Sequence, residues 1–125
     1  LSRGLGDVYK RQDLRWTSEA LGNVVNNAVK YTPAGGTVTV SAQMLGSFCR
    51  VDVTDTGPGI PEGEQGEIFN RFYRGAGTRT AEGLGLGLYL TRKILTLQGG
   101  YIKVSSIPGS GSTFSLYLPR ELSGV

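Results

Sequence analysis

Residues 83–90 read GLGLGLYL, three glycines alternating with leucines and running straight into a helical pattern. Glycine at every second position removes Cβ and opens φ > 0, so the ribbon can lie against a ligand and aim its N–H groups at it. Leu86, Leu90, Ile94 and Leu97 recur at helical spacing. They place the glycines at a helix N-terminus, where unsatisfied N–H groups and the macrodipole favour an anion such as phosphate. The same residues suit a hinge or a tight helix–sheet contact, and a lone glycine-rich turn does not choose between them.

A chain of 125 residues is long enough for one domain with a real core. It holds no apolar run near the length of a membrane span and no signal peptide. The single Cys49 cannot form an internal disulfide, and its strand-like surroundings make it a buried, reduced thiol. Twenty glycines exceed average usage of about 7% and cluster at 57–66, 75–87 and 99–111, which marks specialised loops. The net charge of +3 comes mostly from Arg3, Lys10 and Arg11 against Asp7. No basic face is needed to explain that charge, and no aromatic-plus-basic motif for RNA appears. Residues 1–12, LSRGLGDVYKRQ, lack an initiator Met and clear periodicity, and are expected to be a fragment edge or non-native segment.

In chain order, 16–31 predicts a helix. At 100° per residue Ala20, Leu21, Val24, Val25, Ala28 and Val29 form one apolar arc, and Glu19, Asn23, Asn27 and Lys30 a polar stripe opposite. Two asparagines a turn apart are poor helix formers. They fit either a solvated face or, for Asn27, a neutral oxygen ligand for Mg²⁺ beside phosphates, which Lys30 would then reach. TPAGG at 32–36 stops the helix. Alternating runs at 37–44 and 48–54 predict an antiparallel hairpin with one buried side carrying Val38, Val40, Ala42, Met44, Cys49, Val51 and Val53. Asp55 continues the inward parity, and a carboxylate aimed inward needs donors. It fits an adenine amine or an Asx turn before TGPGI. Residues 61–82 carry a short helix-like piece and then RGAGTRTAEG, a polar segment suited to a mobile lid. Phe69, Phe72 and Tyr73 would pin its near end, and Arg71, Arg74 and Arg79 would meet phosphate on closure. After the glycine helix, alternating runs at 101–105 and 113–118 close the chain. Helix, two strands, lid, helix and two strands predict a two-layer α/β sandwich, with a predominantly antiparallel mixed sheet and the helices on one face.

These residues also carry a family resemblance. Asn23-Val-Val-Asn-Asn27-Ala-Val-Lys-Tyr-Thr-Pro resembles the N box of sensor histidine kinases, and Asp55-Thr-Gly-Pro-Gly59 the G1 box. Ile68-Phe-Asn-Arg-Phe-Tyr-Arg-Gly resembles the F box, Gly83-Leu-Gly-Leu-Gly87-Leu the G2 box, and Gly109-Ser-Gly-Ser-Thr-Phe114 the terminal glycine box. Five motifs in the family's order are highly specific, and they cover about 13–119. The resemblance implies the ATP-binding catalytic domain of the gyrase, heat-shock chaperone, histidine kinase and MutL superfamily, the Bergerat fold. That domain would occupy 13–120, with 121–125 a tail.

Carried over, the resemblance makes Asn27 the Mg²⁺ ligand and Asp55 the adenine selector, with Gly57, Gly59 and Ile60 opening the adenine pocket. Lys30 and Tyr31 lie beside the nucleotide, and Gly83, Leu84, Gly85, Leu86, Gly87 and Leu88 run along the phosphates. Thr113 backs the base, Phe69 and Phe72 anchor the ATP lid, and Arg74 belongs to its arginines. Gln65 stands where the lid helix usually has an apolar residue, and Glu82 where a glycine is common; both bear on lid packing.

Superfamily ATPases carry a water-activating glutamate at the position of Asn23. Asparagine cannot be a general base, so the domain is expected to hold ATP for transfer. The chain contains no histidine, and the resemblance puts the acceptor on a separate dimerisation and phosphotransfer domain upstream, with a response regulator as indirect partner. It implies the cytoplasmic part of a membrane-attached sensor kinase, with no nucleic-acid partner. An anti-sigma-type serine kinase is the alternative enzyme, against which FNRFYRG and KYTP argue. A non-catalytic nucleotide switch is the alternative of another class.

Overall fold

The computed structural model describes residues 2–71 and 87–120. Its first helix, α1, spans Ser2–Tyr31 and so begins well before the residue 16 expected from periodicity. Periodicity reports burial, whereas propagation needs only one hydrogen bond per added residue once a packed segment has nucleated the helix, and 2–15 contain no proline. Ala20, Val24 and Ala28 are buried, with Leu21 and Val25 packed against them. Val29, expected on that arc, is 59% exposed. The Thr32 hydroxyl closes the helix by donating to the Ala28 carbonyl at 2.7 Å.

Four strands follow in two hairpins: β1 (Val38–Leu45) with β2 (Phe48–Asp55), and β3 (Tyr101–Ile107) with β4 (Gly111–Pro119). The sheet order is β1-β2-β4-β3. Every pair is antiparallel, so among the described strands the sheet is purely antiparallel rather than mixed. Among the described residues between β2 and β3 lie a 3₁₀ turn, Glu62–Glu64, and the helix α2, Gly87–Leu97. Register aligns Val53 with Phe114 and Val51 with Leu116, then Leu116 with Ile102. Period-2 alternation therefore turns one continuous apolar face toward both helices.

Two sequence expectations fail at the margins of this core. Val40 and Met44 share the inward parity of Val53, yet they are 49% and 58% exposed. β1 is one of the two edge strands, and the helices lie mainly elsewhere, α1 on β2 and α2 on β3. On α2 the buried residues are Thr91 and Leu95; of the stripe Leu90, Ile94 and Leu97, Ile94 packs against the core while Leu90 and Leu97 are exposed. All three, with Trp16, Glu19, Asn23 and Lys93, line an open groove of about 310 Å³ between the helices. The described part of the Leu86 stripe thus faces this groove. No helix among the described residues is long and apolar enough to cross a membrane.

Leu95 is fully buried among α1 and the sheet. Leu95→Ala should remove about 2–5 kcal/mol of stability, the range for a buried leucine whose site only partly collapses. Urea unfolding checks this; a loss below about 1 kcal/mol would contradict the two-layer packing.

Candidate nucleotide-binding site

Asp55 is the last residue of β2 and lies half-buried. Its Oδ1 accepts the Gly57 N–H at 2.9 Å, so the Asx turn open to it from sequence does form. That bond fixes the carboxylate, while Oδ2 accepts no hydrogen bond among the described residues. One donor is a poor replacement for the hydration of a half-buried carboxylate, so the free oxygen suits a donor from a ligand. Gly57 is buried, and a Cβ there would stand 2.9 Å from the Tyr31 carbonyl and 3.1 Å from Asp55 Oδ1. The loop after Asp55 thus passes directly under the C-terminal end of α1, which brings the Asp55 turn beside Tyr31.

Asn27 is one helical turn before Tyr31, and Asn23 one turn before Asn27. Both are half-buried, and neither side chain makes a hydrogen bond among the described residues. Half-exposed carboxamides with no partner in the protein are open to water or to a ligand. The residues present therefore fit a Mg²⁺–nucleotide, in which an octahedral ion takes most of its ligands from phosphate and water and few from protein. Lys30 is exposed, with Nζ 5.9 Å from the centre of the Tyr31 ring.

On the far side of the Asp55 turn, Gly59 (φ +74°) packs on Ile107 and Pro108, and the Gly109 N–H donates to the Pro58 carbonyl at 2.6 Å. Ile60 is half-buried, and its N–H donates to Ser106 Oγ at 2.8 Å. The loop is held between α1 and the β3–β4 turn.

Thr113 needs correction. Its hydroxyl lies 3.0 Å from that of Thr54, on the sheet face opposite Asp55, because one step along a strand reverses the side chain. The residue aligned with Asp55 on its own face is Ser112, buried, with Oγ 2.8 Å from Ser106 Oγ. Strand parity is the signal that finds Ser112.

Gly87 is the first residue of α2 and Leu88 is half-buried against the core. The buried Thr91 hydroxyl donates to the Gly87 carbonyl at 2.9 Å and lies 3.5 Å from the Ala20 carbonyl. It ties the start of α2 to α1, a role the motif reading passes over because a threonine in a helix carries no signature. Phe69 is buried and meets Phe114 edge-on, ring centres 6.3 Å apart, so the near end of the expected lid rests on β4. Arg71 is exposed, its guanidinium 5.9 Å from the centre of the Tyr89 ring; Phe72, Tyr73, Arg74, Arg79, Glu82, Gly83, Leu84, Gly85 and Leu86 lie outside the described residues.

Residues 12–122 match the model of the histidine kinase-, DNA gyrase B- and HSP90-like ATPase family. The chain belongs to that family. Among relatives, this ATPase-family domain is 42% identical over 110 residues to the sensor protein DivL of Caulobacter vibrioides, covering 88% of this chain and 14% of DivL. Among solved structures, the mycobacterial sensor histidine kinase MprB superposes with a TM-score of 0.74 at 34% identity, covering 81% of this chain and 70% of that one. Full-length ShkA in complex with AMPPNP superposes at 0.71 with 33% identity, over 81% of this chain and 20% of ShkA. The fold is the ATP-binding α/β sandwich of histidine kinase catalytic domains. The chain spans about a seventh of DivL and a fifth of ShkA.

Proposed function

We propose that this domain binds Mg-ATP and donates its γ-phosphoryl group to a histidine on a separate dimerisation and phosphotransfer domain, in a two-component signalling system. The observation that supports this best is the half-free Asp55 carboxylate, whose turn packs on Tyr31 at the end of α1, one helical turn after the unengaged Asn27 carboxamide. Asp55 Oδ2 accepts a hydrogen bond from the adenine amine. Gly57, Gly59 and Ile60 form the floor and wall of the base pocket, and Ser112 stands beside the carboxylate. Tyr31 and Lys30 flank the nucleotide; Lys30 neutralises phosphate charge. The glycine stretch 83–87 with Leu88 receives the phosphates at the start of α2, and Phe69, Phe72 and Arg74 carry the lid.

A neutral imidazole nitrogen of the acceptor attacks the γ-phosphorus as the bond to the β–γ bridging oxygen breaks; ADP is the leaving group, and the proton on the other imidazole nitrogen passes to water. Such a transfer needs positioning and charge neutralisation more than covalent chemistry. Asn27 would hold Mg²⁺ beside the phosphates, and the ion would supply part of that neutralisation. Asn23 has no basic group with which to activate water, which favours transfer over hydrolysis. The response regulator then takes the phosphoryl group from the histidine, and the domain works in the cytoplasm, where ATP is available.

Incubation with radiolabelled ATP and a supplied histidine-bearing domain tests the reaction. Acid-labile, base-stable label on that domain is expected; acid-stable label on serine would contradict the histidine assignment. Asp55→Ala should weaken an ATP analogue by about 1–3 kcal/mol, the effect of removing a buried hydrogen-bond partner. Calorimetry showing an equal loss for a GTP analogue would contradict adenine recognition by Asp55.

A further inference from the structure

We propose that Gln65 and Ser106 are positioning residues that clamp the loop after Asp55 and tie it to the entry of the lid, so that both set nucleotide affinity. Ser106 Oγ sits where three segments meet. It accepts the Ile60 N–H at 2.8 Å and donates to the Gly111 carbonyl at 3.0 Å. The Ser112 hydroxyl lies 2.8 Å away and fills its second acceptor position. One hydroxyl thus uses its whole capacity, a donor and two acceptor sites, to join the base-pocket loop to the residues beside Asp55.

Gln65, just past the 3₁₀ turn, is half-buried and adds the second tie. Its Nε2 donates to the Ile60 carbonyl at 2.9 Å and to the Ser106 carbonyl at 3.2 Å. Ile60 is therefore held by both its N–H and its carbonyl, on two different neighbours. The same short segment leads through Ile68 and Phe69, both buried, into the lid. An apolar residue at 65 would pack here but could not donate, so glutamine changes how the lid entry is attached: by directional bonds to the pocket loop instead of by contact alone. A displacement of the lid entry then reaches Ile60 through one side chain.

The inference rests on the nucleotide reading above. The test uses the full chain, with calorimetry of a non-hydrolysable ATP analogue, thermal unfolding of each variant, and hydrogen exchange at the Ile60 amide. Gln65→Leu and Ser106→Ala should each weaken the analogue about tenfold, the equivalent of one net hydrogen bond to a well-placed partner. Gln65→Glu should be weaker still, since a carboxylate would face two carbonyl oxygens and donate to neither. Ser106→Thr, which keeps the hydroxyl, should bind within about twofold of the parent, and the Ile60 amide should lose protection in Ser106→Ala but not in Ser106→Thr. Affinities are compared well below every unfolding midpoint, so that a role confined to stability would lower midpoints and leave affinity alone. Gln65→Leu binding as tightly as the parent, with Glu the only damaging change, would overturn the clamp and leave a packing site. A parent chain that binds no adenine nucleotide would overturn both this inference and the reading beneath it.

Discussion

Asn27→Ala is expected to abolish measurable phosphoryl transfer, with a fall of at least about 10²-fold, the scale of losing one preorganised electrostatic group, while the fold gains slightly. The gain has a separate cause. Alanine is the best helix former and asparagine among the poorer ones, by roughly 0.5 kcal/mol, and the Asn27 side chain has no hydrogen bond among the described residues to lose. Transfer and stability should therefore move in opposite directions. Radiolabel transfer measured beside thermal unfolding checks both. Transfer within twofold of the parent would remove Asn27 from the site; a lowered midpoint would assign it to structure.

Gly111→Ala should open the β2–β4 end of the sheet and with it the base pocket. Gly111 has φ +118°, and a Cβ there would overlap the Asp55 carbonyl oxygen. Backbone strain at such an angle is worth on the order of 1–3 kcal/mol, and the overlap adds to it, because Asp55 is held from both sides: by β1 through Val38 and by β4 through Ser112. Gly109 separates the two contributions. It has φ +85° but open space around the Cβ position, so Gly109→Ala carries the angle without the clash. Urea unfolding should show the larger loss for Gly111→Ala, together with weakened nucleotide binding. Equal losses would mean that the close approach to Asp55 contributes nothing.

The difference between motif and geometry runs through the whole molecule. The buried part of helix α1, the first hairpin and the last two strands were legible because period 3.6 and period 2 are written in apolar residues. The extent of burial was not legible. Val40 and Met44 have the pattern of core residues, but on an edge strand only lightly covered by α1 they are exposed, and nothing local in a strand says which neighbour will cover it. Leu90 and Leu97 show the same limit on α2, where the buried line runs through Thr91 and Leu95. At the site, Asp55, Gly57 and Asn27 could be named from motifs, since each depends on its own backbone. Ser112, Ser106, Gln65 and Thr91 act through partners 5 to 71 residues away. A linear reading has no access to such pairings except through strand parity, and parity alone separates Ser112 from Thr113.

The most direct test of the account is calorimetric titration of the chain with a non-hydrolysable ATP analogue, with and without Mg²⁺, and with a GTP analogue beside it. Adenine-selective binding that tightens with Mg²⁺ and weakens in Asp55→Ala is the predicted result. A folded sample that binds neither analogue, or binds both equally, would contradict the assignment of this pocket to Mg-ATP.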